Sequence, residues 1–401
     1  MEKGISDFKP GSAVVPGERP VVGIFGKRNA GKSTLFNLLL GQEYAVVSDH
    51  KGTTTDPVRK SMELDGAGAI TLVDTPGYDD EGTVGGLRVE QAVKSAAACD
   101  VALIVVDGVE DGLDKRWAEY LEGRGATVFV INKQDVSKKD VFDKIRHALE
   151  ARGRAGSEAT ILGGLVSAGD IAVLVMPQDK AAPKGRLIMP QMQTVRELLD
   201  RGCVPVCVAP DGLEGVFSAL SRKPELVITD SQAFSAVRDV MRKVFGAGDG
   251  SPESDGRFSG TDAEVISDIL GGVPLTSFSI LFSRYKGDIR IFREGAEKIP
   301  LLNGGSRVLI AEACAHRPLS EDIGRVKLPA LLRKAAGDSL QVDVVAGSDW
   351  PSDLKGYDLV IHCGACMFNR RLVLSRIADA QRDGVPITNY GLAIYKLVKR
   401  D

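Results

Sequence analysis

The sequence predicts an α/β protein of three units with mostly parallel sheets. Three observations carry that reading. Short Val/Ile-rich runs alternate with helical patterns through the first third and again further along the chain. The 45 glycines, set against 5% aromatic residues, suit many tight strand-to-helix turns. A chain of 401 residues also exceeds what one hydrophobic core organises, and at about 150 residues per domain it divides into two or three.

In the first third, Pro20 to Phe25, Ala69 to Asp74, Val101 to Asp107 and Thr127 to Asn132 read as strands. Helical patterns follow Lys32 and Val84 and recur near Asp114 to Leu121 and Lys139 to Arg152. The rhythm restarts between Asp170 and about Met241, with strands near Ile171 to Met176, Val204 to Ala209 and Glu225 to Thr229. Gly246 to Gly260, rich in Gly, Ser and Asp, reads as a linker. A third unit has strands near Arg307 to Glu312, Gln341 to Val345, Tyr357 to His362 and Val385 to Asn389. The expected domains are residues 1–162, 163–250 and 262–401.

Composition narrows the partners. A formal net charge of -3 and the lack of a basic tail argue against a large nucleic-acid footprint, which needs clustered Lys and Arg. Residues 1–20 are polar and Gly/Pro-rich, without an apolar or Arg-rich targeting pattern. The longest apolar run, Ala159 to Met176, is broken by glycines and Asp170, so no membrane span and a cytoplasmic location are expected. Six cysteines in a cytosolic chain read as thiols or metal ligands rather than disulfides.

Gly26-Lys27-Arg28-Asn29-Ala30-Gly31-Lys32-Ser33 matches G-x-x-x-x-G-K-S between an apolar strand and a helical run that starts at Thr34. In such a P-loop the backbone N–H groups close around phosphates, Lys32 reaches the β/γ-phosphates and Ser33 ligates Mg²⁺. Asp74-Thr75-Pro76-Gly77 ends a later strand, where Asp74 reaches Mg²⁺ through water and the Gly77 N–H senses the γ-phosphate. Asn132-Lys133-Gln134-Asp135 ends another, and the Asp135 carboxylate there accepts from the guanine N1 and N2 groups, a donor pair that adenine lacks. Within Thr53-Thr54-Thr55-Asp56, a threonine, Thr53 or Thr54, is placed to complete the Mg²⁺ shell from a switch loop. These motifs specify GTP. The fold class is therefore α/β, a P-loop GTPase domain followed by two smaller α/β domains with mostly parallel sheets.

Tyr78 follows Gly77 where Ras-like enzymes place a water-orienting glutamine, so water must be positioned otherwise. Here the P-loop resembles the potassium-dependent branch of translation-factor-related GTPases, whose P-loop asparagine helps bind K⁺. Asn29 holds that position, and a monovalent cation there would offset developing charge as an arginine finger does; the plainer alternative is that Asn29 only caps the loop. Ser167-Ala168 matches a short base-contacting motif but runs straight into an apolar strand. The segment from Asp135 to Gly163 is too short for the last strand and helix of a complete nucleotide domain.

A second cluster of chemistry lies in Cys314-Ala315-His316 and His362-Cys363-Gly364-Ala365-Cys366, each after a run that reads as a strand. Open α/β sheets place ligand sites at such strand ends, and the helical run from Asn369 adds a dipole that favours an anionic centre. Three cysteines suit a [4Fe–4S] cluster with one iron left for histidine or an exchangeable ligand; a mixed Cys/His set equally suits tetrahedral zinc, and unmetallated core thiols are the third reading. Cys99, Cys203 and Cys207 read as buried thiols without chemistry.

A GTPase followed by C-x-H and H-C-x-x-C resembles the [FeFe]-hydrogenase maturation GTPases, the HydF family. The resemblance extends to Gly23 through the P-loop, Gly52 to Val58, Ala182 to Gln191, Leu226 to Gln232 and Ser279 to Tyr285. It implies a GTPase, a middle dimerisation domain and a cluster-binding domain in a homodimer. It also implies that the protein accepts a transient diiron precursor from radical-SAM maturases and delivers it to apo-[FeFe]-hydrogenase. Carried over by position, Cys314, Cys363 and Cys366 are the cluster thiolates, and His316 or His362 fills or borders the fourth site. The rival reading is a ribosome- or tRNA-associated GTPase with a structural zinc module.

Overall fold

The computed structural model describes residues 18–41, 57–79, 82–156, 160–177, 187–246, 256–312, 323–347, 349–366 and 368–398. Two compact units result: Met1–Ser157 with Phe368–Ser375, and Glu158–Met367 with Arg376–Asp401. Among the described residues no helix is long and apolar enough to cross a membrane.

The first unit runs β1 (Val21–Phe25), α1 (Lys32–Leu40), β2 (Val58–Leu64), β3 (Gly68–Asp74), α2 (Gly82–Ala96), β4 (Val101–Val106), α3 (Gly112–Gly123), β5 (Thr127–Asn132) and α4 (Lys138–Gly156). Its strands are ordered β2-β3-β1-β4-β5, parallel except for the antiparallel β2–β3 pair. Every residue of β1 and β4 is buried. Unbroken apolar runs of this kind form where helices cover both faces of a parallel sheet. The strand β2 was not among those read from the sequence, because an edge strand facing water carries Arg59, Lys60, Ser61 and Glu63 and lacks an apolar run. No sixth strand joins this sheet among the described residues.

The second unit holds two sheets. The first comprises β6 (Ile171–Val175), β7 (Val204–Val208), β8 (Leu226–Thr229), β9 (Asp268–Leu270) and β10 (Val273–Ser277), in the order β7-β6-β8-β10-β9. Between and after these strands come α5 (Met189–Asp200), α6 (Leu213–Ala219), α7 (Phe234–Phe245), α8 (Thr261–Val265), α9 (Phe278–Lys286) and α10 (Ile289–Ala296). The second sheet comprises β11 (Arg307–Glu312), β12 (Gln341–Ala346), β13 (Leu359–His362) and β14 (Ile387–Asn389), all parallel in the order β12-β11-β13-β14, with α11 (Leu328–Ala336), α13 (Tyr390–Val398) and, from Arg376 onward, α12 (Arg370–Arg382).

The expected third domain, 262–401, needs correction. Strands β9 and β10 belong to the preceding sheet, where β10 pairs in parallel with β8 through Leu275 and Val227. Apolar runs give strand positions but not partners, and this pairing crosses the Gly/Ser-rich linker. The two sheets also share contacts: the Tyr395 hydroxyl donates to the Ser267 carbonyl at 2.7 Å and Asn389 Nδ2 donates to the Ser279 carbonyl at 2.8 Å. The expectation for Cys207 changes as well. It is exposed, because β7 is an edge strand, whereas Cys99 and Cys203 are buried and burial pushes the Cys99 thiol up to about 12.

Gly295 lets α10 lie against β14, since a Cβ there would collide with the Ile387 backbone carbonyl. Gly295→Ala should therefore destabilise the second unit by about 1–3 kcal/mol. Urea unfolding followed through Trp350 fluorescence checks this, and an unchanged midpoint would contradict the close packing.

Candidate functional site

The P-loop leaves the carboxyl end of β1 and closes on α1. Gly26 has φ 148°, and a Cβ there would lie 2.5 Å from the Val105 carbonyl oxygen, so only glycine fits. Gly31, at φ 98°, caps α1, and a Cβ there would touch Lys133, which packs the base-recognition segment on the P-loop. Asn29 takes a left-handed backbone, φ 61°, which asparagine tolerates better than most side chains. Ala30 is buried, and Thr34 faces outward on α1.

Lys32 is buried, its ammonium donating to the Lys27 carbonyl of its own loop at 2.6 Å. Asp74, fully buried at the end of β3, accepts from the Ser33 hydroxyl at 2.6 Å through Oδ2, while Oδ1 has no hydrogen-bond partner among the described residues. Burial raises the Asp74 pKa, opposed by the Ser33 hydrogen bond and the Lys32 charge. An orphaned carboxylate oxygen beside a serine hydroxyl is the donor set a divalent oxygen-seeking cation takes, so these residues fit Mg²⁺. Thr53 and Thr54 lie outside the described residues.

Gly77 sits against the P-loop: a Cβ there would lie 2.9 Å from the Arg28 amide nitrogen. That amide donates to Asp79 Oδ1 at 2.6 Å. Tyr78 turns away from the loop into the core, stacked on Trp117 at 4.7 Å, with its hydroxyl donating to Asp114 Oδ1 at 2.7 Å. Asp114 also accepts from Lys27 at 3.1 Å and from the Asp111 amide at 3.0 Å, so one buried carboxylate joins the P-loop, the loop after β3 and the start of α3. Motif reading missed Asp79 and Asp114; an acidic pair opening a helix was the available signal for the latter.

At the end of β5, Asn132 Oδ1 accepts from the Gln134 amide at 3.1 Å, and Asn132 Nδ2 lies 3.4 Å from Asp135 Oδ2. Asp135 is exposed. Lys133 pairs with Asp107. Ser167 belongs elsewhere: its amide donates to Asp170 at 2.7 Å and its carbonyl accepts from Cys203 at 3.2 Å, beside β6 in the second unit.

The described part of the second cluster sits at the carboxyl end of β13, a parallel neighbour of β11 with Ala311 opposite His362. The Cys363 amide donates to the Ala311 carbonyl at 2.9 Å. Cys314 and His316 follow β11 in sequence and lie outside the described residues. Cys363 and Cys366 are half-buried, and the Ala365 amide donates to Cys363 Sγ at 3.4 Å, a contact suited to a thiolate ligand. Among the described residues no three His, Cys, Asp or Glu side chains gather as a metal set.

His362, expected to fill or border the fourth cluster position, is engaged within its own chain. It is fully buried, with Nδ1 2.6 Å from the Cys363 carbonyl oxygen and Nε2 2.9 Å from Arg376 Nη1. A guanidinium only donates, so Nε2 accepts and Nδ1 carries the proton. Both nitrogens are engaged. Burial first, then the Arg376 charge, push the imidazole down to about 3, so it is neutral.

Fold and site together define a P-loop GTPase domain. A model described as 50S ribosome-binding GTPase matches residues 21–133. Residues 161–245 match the hydrogen maturase F dimerization domain, and residues 290–399 the hydrogen maturase F tetramerization domain. The chain belongs to the hydrogen maturase F family, HydF. It is also similar to GTPase Der of Sulfurimonas denitrificans, 37% identical over 130 residues, which cover 31% of this chain and 26% of that protein. GTPase Der of Bacillus cereus is 34% identical over 182 residues, 43% of this chain and 39% of that one. The chain thus spans well under half of these relatives. Among solved structures the chain matches Era in complex with MgGDPNP and a 16S ribosomal RNA segment, at 20% identity, 52% and 58% coverage and a TM-score of 0.26. Toc33 from Arabidopsis thaliana in complex with Mg²⁺ and GMPPNP is another, at 20% identity, 48% and 71% coverage and a TM-score of 0.24.

Because the folded pKa of Asp74 is raised, the metal-free protein binds more protons at this site folded than unfolded, and its stability falls as pH rises above the ordinary carboxylate range. Thermal melts between about pH 4 and 8 should show that fall without metal and a flatter profile with Mg²⁺ and nucleotide. Asp74→Asn should flatten it without metal and weaken Mg²⁺-dependent nucleotide binding by about tenfold or more. Parallel profiles for the two proteins would exclude Asp74 as their source.

Proposed function

We propose that this chain is a GTP-hydrolysing scaffold that carries a [4Fe–4S] cluster on Cys314, Cys363 and Cys366, accepts a diiron precursor and passes it to apo-[FeFe]-hydrogenase. The Cys363 amide bonded to Ala311 is the observation that carries this reading, because it ties the Cys363–Cys366 loop to the strand that precedes Cys314. With both nitrogens of His362 engaged, the fourth position falls to His316 or an exchangeable ligand, which suits release of cargo. The dimerization and tetramerization domains support oligomerisation, and the exposed edge strand β7, with Val204 50% exposed, supports a homodimer. Radical-SAM maturases are the proposed source of the precursor.

In the nucleotide site, the loop amides and Lys32 bind the phosphates, Ser33 and Asp74 hold Mg²⁺, and Asn132, Lys133 and Asp135 hold guanine. Mg²⁺, and K⁺ beside Asn29, would supply positive charge to the phosphoryl oxygens as charge develops. The Gly77 amide senses the γ-phosphate. A nucleotide phosphate would draw Lys32 from the Lys27 carbonyl, coupling occupancy to the P-loop and, through Asp114, to the loop carrying Gly77.

The rival, a ribosome-associated GTPase with structural zinc, draws on the model matched to residues 21–133; the two hydrogen maturase F domains favour maturation. Anaerobic metal analysis with EPR separates them. About four irons with sulfide per chain support the scaffold, and one zinc overturns it. Cys363→Ser should abolish cluster binding while GTP turnover stays within about twofold, measured by iron content and phosphate release. Replacing K⁺ by Na⁺ should slow turnover by about tenfold; equal rates would leave Asn29 a structural role.

A further inference from the structure

We propose that Asp79 is the residue by which the nucleotide unit tells GTP from GDP: its carboxylate, held on the P-loop beside Gly77, opposes the γ-phosphate charge that GTP alone brings. This rests on the reading that the Gly77 amide meets the γ-phosphate. The loop after β3 is joined to the P-loop by two successive links. Lys27 and Tyr78 converge on Asp114, the ammonium donating to Oδ2 at 3.1 Å and the hydroxyl to Oδ1 at 2.7 Å. One residue further along each segment, the Arg28 amide donates to Asp79 Oδ1 at 2.6 Å. The first link fixes the register of the second, because Tyr78 is only 4% exposed and stacks on Trp117 at 4.7 Å.

Gly77 lies inside this junction. A Cβ on it would come within 2.9 Å of the Arg28 amide nitrogen, 3.2 Å of the Arg28 Cα and 3.1 Å of Asp79 Oδ1. The carboxylate is therefore an immediate neighbour of the glycine. Amides of a phosphate-binding loop suit anions, and here one of them holds an anion that belongs to the chain itself. A phosphoryl group arriving at Gly77 brings negative charge against that carboxylate.

The balance of charge sets the consequence. Like charges at such separations repel strongly away from bulk water, and Asp79 is half-buried. Lys27, the cation next to Arg28, is turned to Asp111 and Asp114 and does not offset Asp79. GTP must either displace Asp79 from the Arg28 amide or bear the repulsion, whereas GDP, which ends at the β-phosphate, meets neither. The element that shifts is the turn at Asp79, rooted in the core by Tyr78. A ligand moves such an element only by its differential affinity for the two arrangements, and here the difference is one phosphoryl group set against one carboxylate.

The test uses the full chain with Asp79→Asn, Asp79→Ala and Asp79→Glu, and measures the affinities of GDP and GMPPNP with Mg²⁺ by competition against a fluorescent GDP. Asp79→Asn keeps an oxygen for the Arg28 amide and removes the charge, so GMPPNP affinity relative to GDP should rise about fivefold or more. Asp79→Ala should show the same rise and Asp79→Glu should stay near the parent. The ratio is insensitive to a general loss of folding, which weakens both nucleotides alike. An unchanged ratio in Asp79→Asn and Asp79→Ala, or an equal rise in Asp79→Glu, overturns the proposal. Hydrogen–deuterium exchange of the parent keeps the two readings apart: GMPPNP should protect residues 75–79 more than GDP does. Equal protection defeats the placement of the γ-phosphate at Gly77 and the proposal with it, whereas greater protection with an unchanged ratio defeats the role of Asp79 alone.

Discussion

Parallel pairing governs where chemistry collects in this protein. When neighbouring strands run the same way, the segments leaving their carboxyl ends emerge along one edge of the sheet, however far apart they lie in sequence. In the first unit that edge receives the P-loop after β1, Asp74 and Gly77 after β3, and Asn132 to Asp135 after β5. In the second unit the same rule sets the Cys363–Cys366 loop beside the end of β11, with Ala311 and Cys363 joined through their backbones.

Both sites keep ionisable groups out of water at those strand ends. Asp74, Lys32, Arg376 and His362 are all buried, and each has polar partners fitted to its state. The partners differ in kind. Asp74 leaves one oxygen without a partner among the described residues, as a site kept for a cation does. His362 instead has both nitrogens engaged by its own chain, which makes it a brace for the cysteine loop.

Asp114 does comparable work in the nucleotide unit. By accepting from Lys27, Tyr78 and the Asp111 amide it connects three segments, two of which border the phosphate site. The aromatic stack of Tyr78 on Trp117 anchors that connection in the core. The P-loop and the loop after β3 are thus joined through one carboxylate within the unit.

Much of this was legible in the sequence, because local signals carry it. Apolar runs bounded by glycine and polar residues marked Val101–Val106, Thr127–Asn132 and Arg307–Glu312 to within a residue, and the phosphate and base motifs need only contiguous residues and a strand before them. What failed was non-local. The edge strand β2 lacks an apolar run, the assignment of β9 and β10 depended on a partner across a linker, and the exposure of Cys207 depended on β7 lying at an edge. The engagement of His362 depends on Arg376, and that of the Arg28 amide on Asp79, distant or unremarkable in sequence. The chain's order of residues therefore determined which groups could act and at which strand ends. Only tertiary packing decided which were free to bind and which were already bound, since hydrogen bonding and burial depend on neighbours that no local pattern specifies.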